Sequence, residues 1–70
     1  VTRQRIEKHL DAAKTHDEAA ARHDEASTFW SEKGDERRAD IERRNAAIER
    51  DAAGLERERA QVEAESPLLE

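Results

Sequence analysis

A single strong interruption near the middle of the chain, Lys33-Gly34-Asp35, limits what the sequence can fold into, because the residues on either side are overwhelmingly helix formers. Glycine suits the left-handed residue just past a helix end. Asp35 suits the N-cap of a following helix, Glu36 is favourable in that helix's first turn, and Lys33 complements the dipole at the end of the preceding one. These neighbours agree in predicting that one helix stops and another starts. The chain therefore divides into a helix over about residues 3–33, a turn at 34–35 and a second helix over about 36–65, each roughly 45 Å long at about 1.5 Å per residue. Equal arms around a short turn imply a hairpin. A continuous helix through Gly34 competes, since one interior glycine costs only about 1 kcal/mol, but it leaves the capping residues without a role. Gly54 lacks such neighbours and is placed inside the second helix. Pro67, after Ser66, ends that helix and leaves residues 66–70 as a short tail.

A chain of 70 residues forms one small domain with a modest core. Charged residues make up 44% of it and the only aromatics are Phe29 and Trp30, a balance that disordered segments share. Abundant Ala, Glu, Arg, Leu and Ile, with two glycines and one proline, weigh instead for helix. The formal charge of −5 disfavours nucleic acid as a partner, which needs a basic face. The arginine pairs at 37–38 and 43–44 are interspersed with Glu36, Asp40 and Glu42, and so read as a solvated face. With no cysteine there is no disulfide, thiolate or cysteine-based zinc site. The longest apolar run, Ala19 to Ala21, is far short of a membrane span. A small acidic cytoplasmic protein is the expectation. The chain begins with Val and holds no Met, which fits a processed chain, a fragment or a non-standard start equally.

Heptad patterning suggests how the arms meet. In the first, Ile6, Ala13, Ala20 and Ser27 alternate with His9, His16, His23 and Trp30, as a and d positions do. In the second, Ile41, Asn45, Ile48, Ala52, Leu55, Arg59 and Val62 follow one another in steps of four and three, the 3.5-residue repeat of a left-handed supercoil. Folding about Gly34 then sets Ile6 against Val62, Ala13 against Leu55, Ala20 against Ile48 and Ser27 against Ile41, small residues receiving large ones. Between these layers His9 faces Arg59, His16 faces Ala52 and His23 faces Asn45. Trp30 faces Arg38 as a cation–π pair. A shift of one heptad is the alternative register. Ala39, Ala46, Ala53 and Ala60 form a further series about 130° around the second helix; it is either a second contact face or a row of surface helix formers. Glu18–Arg22 and Asp40–Arg44 have the favourable i, i+4 order. The fold expected is all-α, an antiparallel two-helix coiled-coil hairpin that dimerises into a four-helix bundle.

Three histidines at one heptad position would coincide by chance only about one time in fifty, so the pattern asks for a cause. One cause is a set of polar core layers that fix register, with Asn45 contributing. A second is a metal site. Residues seven apart lie roughly 10.5 Å apart along one helix, so ligation through His9, His16 and His23 would need a second chain or a carboxylate such as Asp51 or Glu58, and no Glu-x-x-His motif occurs. A third is a core that loosens near pH 5, where burial of neutral imidazole would be lost on protonation. No metal or other cofactor is assigned.

Trp30 close before Gly34 at the turn of a helical hairpin resembles the small WXG-type secreted proteins of Gram-positive bacteria, which are hairpins that dimerise. The resemblance covers the turn alone. The spacing here is Trp-x-x-x-Gly, the chain is shorter than is usual in that family, and no Tyr stands for its C-terminal export signal. Membership is not assigned.

Catalysis finds little support. A carboxylate pair needs a shielded pocket, and Ser27, Thr28 and Ser31 near His23 lack a Gly-rich elbow or an orienting third group. The sequence therefore points to a non-enzymatic structural or protein–protein interaction module that pairs with itself or with a partner helix. The alternative is a metal-binding bundle built across a dimer.

Overall fold

The computed structural model describes residues 2–66 and consists of two helices packed antiparallel, α1 over Thr2–Glu32 and α2 over Glu36–Ala64, with no strand among the described residues. The expected tail after Ser66, including Pro67, lies outside the described residues. The hairpin is a slender rod whose Cα positions extend 55 × 13 × 9 Å.

The reversal occurs where the glycine requires it. Gly34 adopts φ +81, the left-handed conformation. Its amide donates to the Ser31 carbonyl at 3.0 Å, and the Asp35 amide donates to the Trp30 carbonyl at 2.9 Å. This pair of bonds satisfies carbonyls that a helix end leaves open, in the Schellman arrangement. Asp35 then caps α2: its carboxylate accepts from the Arg38 amide at 3.0 Å and also from the Arg38 guanidinium. One residue thus closes α1 and the next opens α2. Lys33 falls just beyond α1 and its ammonium lies 5.4 Å from the centre of the Phe29 ring.

Two of the expected contacts are present. The Arg38 guanidinium lies 4.7 Å from the centre of the Trp30 ring, and Asp40 pairs with Arg44 at 2.6 Å.

The face of α2 that meets α1 is not the expected one. Ala39, Ala46, Ala53 and Ala60 are buried, together with Ala13, Ala20 and Ser27 of α1. Ile41, Ile48, Leu55 and Val62, expected to cover α1, are instead 47–63% exposed. Their layers against Ile6, Ala13, Ala20 and Ser27 therefore do not form. Each buried alanine of α2 stands two residues before an expected core residue, Ala46 before Ile48 and Ala53 before Leu55. Two residues turn a helix by about 200°, so the isoleucine row faces away from α1. Alanine on both helices, with Ser27 on α1, leaves only small residues at the buried centre of the seam, so the backbones can approach closely.

Candidate functional site

Both flanks of the alanine seam carry matched charges. On one flank, His9 Nδ1 lies 2.8 Å from Glu56, His16 Nδ1 lies 2.6 Å from Glu49, and His23 Nδ1 lies 3.3 Å from Glu42. Each step along this ladder is seven residues on α1 and seven back on α2, the condition for two antiparallel coiled-coil helices to repeat the same contact. On the other flank, Asp17 pairs with Arg57 and Asp24 with Arg50, at the same spacing. These five pairs fix the register. Taken together the two flanks stagger the alanines, with Ala20 of α1 between Ala46 and Ala53 of α2, and all three are buried.

The histidines are therefore not layers facing Arg59, Ala52 and Asn45. They sit at the edge of the seam, with side chains about a third exposed, each on a carboxylate. Glu42, Glu49, Glu56 and Glu63 all stand three residues after a buried alanine, and this glutamate row was not picked out in the sequence. Its signal is present there: four glutamates at heptad spacing complement three histidines at heptad spacing. At Glu63 the row loses its match. The α1 residue that continues the histidine series is Thr2, and Thr2 Oγ1 and Glu63 Oε2 are buried without a hydrogen-bond partner; Arg5 approaches Glu63 only to 3.8 Å. At the turn the series ends in Trp30, which stacks edge to face on Phe29 with ring centres 5.1 Å apart.

No family model matches the chain, and comparison with curated proteins and with solved structures returned no match.

Electrostatics follow the pairing. Hydrogen bonds from His9 and then Arg59 hold the Glu56 carboxyl below the usual glutamate range. A hydrogen bond from Arg50 holds the Asp24 carboxyl below the usual aspartate range, and the same contact raises Arg50. Among the described residues, no group of three or more His, Asp or Glu side chains gathers as a metal would need; each imidazole meets one carboxylate. No helix among them is long and apolar enough to cross a membrane.

Of the remaining residues marked in the sequence, Ile6, Asn45 and Ala52 are half-buried at the margins of the helices. With the four exposed apolar residues, Asn45 and Ala52 complete a continuous outer row on α2.

Proposed function

We propose that this chain is a non-enzymatic structural or interaction module that self-associates through its helix faces. The observation that carries this is the outer row of α2: Ile41, Ile48, Leu55 and Val62 recur every seven residues and remain largely exposed after the hairpin has closed. Four large aliphatic side chains in line on one small helix are a surface that water disfavours and a partner helix covers. A hairpin whose own interior is mostly alanine has little else to bury, so association contributes stability that the single chain lacks. The titratable side chains support a non-catalytic role, because the histidines are hydrogen-bonded to glutamates on an open flank and not held in a shielded cleft.

The direct test is mass in solution. Sedimentation equilibrium over micromolar to millimolar chain should give a dimer, with a melting temperature that rises with concentration. A monomer across that range would refute self-association.

The second reading, a metal-binding bundle across a dimer, draws on one observation: each imidazole already has a carboxylate beside it, two ligand types that zinc accepts. A second chain would have to complete each set. A melt with and without chelator, beside metal analysis of the purified protein, decides it: this reading expects bound metal and a melting temperature lowered by chelation.

A further inference from the structure

Helix α2 carries two coiled-coil seams. The inner one, Ala39, Glu42, Ala46, Glu49, Ala53, Glu56 and Ala60, is used against α1. The outer one, Ile41, Asn45, Ile48, Ala52, Leu55, Arg59 and Val62, has the same alternation of three- and four-residue steps. Its four large apolar members, Ile41, Ile48, Leu55 and Val62, keep about half or more of their surface exposed in the hairpin. A sustained 3.5-residue repeat specifies another helix as the occupant more closely than a general hydrophobic patch would.

We propose that the outer seam of α2 packs against the same seam of a second copy, antiparallel, with residue 50 of each chain near a two-fold axis. This rests on the self-association reading and assigns its face, direction and register. Because α2 runs from Glu36 to Ala64, its midpoint is residue 50, so this register overlaps the two helices along their whole length. It places Ile48 on the partner's Ala52, Leu55 on the partner's Asn45, and Ile41 on the aliphatic stem of the partner's Arg59. Large residues thus meet small or amphipathic ones in each layer.

Residues within the seam favour this direction, and those beside it give the pairs that test it. On one flank Arg44 meets the partner's Glu58 and Arg37 meets the partner's Glu65, each twice by symmetry, against one like pair at the axis, Asp51 with the partner's Asp51. On the other flank Glu42, Glu49 and Glu56 approach their counterparts, but each carboxylate is already engaged by an imidazole. A parallel pairing stacks Arg59 on the partner's Arg59 within the seam. It also sets Asp51 against the partner's Glu56 and Glu58 against the partner's Glu63, beside opposite pairs of Arg37 with the partner's Glu42 and Arg44 with the partner's Glu49. The flanks thus offer as many opposite-charge pairs in one direction as in the other, and the seam decides: antiparallel pairing separates the two Arg59 side chains and seats each large aliphatic residue on a small or amphipathic one.

The test is sedimentation equilibrium on the full chain and four variants, with helicity measured on each. Ile48→Glu, at a position already exposed in the hairpin, should abolish the dimer and leave helicity intact. Glu58→Arg and Arg44→Glu should each weaken the dimer by about tenfold, and the double variant should recover most of that loss. A parallel dimer would instead be tightened by Glu58→Arg, and that result overturns the proposed direction. A dimer that survives Ile48→Glu, or that forms only with a different protein's helix, overturns the assigned occupant of the seam. A wild-type monomer throughout removes the self-association reading itself.

Discussion

The two glycines show how one residue type acts in opposite ways. Gly34 sits at φ +81, where a Cβ is strained, and Gly54 lies in the helix interior, where an added Cβ meets nothing within 4 Å. Gly34→Ala should therefore lower stability by about 1 kcal/mol, and Gly54→Ala should raise it by about 0.5–1 kcal/mol, read from denaturant melts. The paired carboxylates set a pH dependence. Glu56 and Asp24 both titrate below their ordinary values, Glu56 through His9 and Arg59, Asp24 chiefly through Arg50 with His23 adding. A lowered folded-state value means stabilisation that is complete above the ordinary carboxylate range and is lost as pH falls through the lowered one. Thermal melts should accordingly decline below about pH 4.5, and Glu56→Gln with Asp24→Asn should flatten that decline; an identical slope in the double variant would mean the pairs contribute nothing. The acid sensitivity expected near pH 5 assumed imidazoles buried between apolar layers. At the seam's edge, against glutamates, that cause is absent.

Each helix owes its ends to local chemistry, and those ends were legible in the sequence. Gly34, Asp35 and Glu36 act within a few residues of themselves, so the turn, both helix limits near it and the Trp30–Arg38 stack could be read directly. Which face of α2 turns inward could not, because two rows on that helix share one period. Large aliphatic residues mark the outer row as the stronger core, whereas the alanine row reads equally as a second contact face or as surface helix formers. What favours the inner row is a match between elements: only with the alanines inward do the glutamates reach the histidines, and Arg50 and Arg57 reach Asp24 and Asp17. The two faces predict different mutational costs. Ala46→Leu forces bulk into the closed seam and should cost about 1–3 kcal/mol or more. Ile48→Ala, measured on dilute chain, should stay within about 0.5 kcal/mol. If Ile48 lay in the core, its truncation would cost about 2–5 kcal/mol.

For the whole molecule, these assignments describe a hairpin organised in two stages. Small residues and matched side-chain pairs close α1 on α2, and the larger aliphatic residues are left on the outside of α2, the face proposed above for a second helix. The two kinds of apolar residue then differ in use: alanine permits close approach within the chain, and isoleucine, leucine and valine offer the area that the proposed association would bury. All of this depends on the alanine row being the one that meets α1. Methyl-to-methyl nuclear Overhauser contacts in labelled protein test that most directly. A cross-peak from the Ala20 methyl group to Ala46 or Ala53, with none to Ile48, is the predicted result; a cross-peak from Ala20 to Ile48 in its place would contradict it.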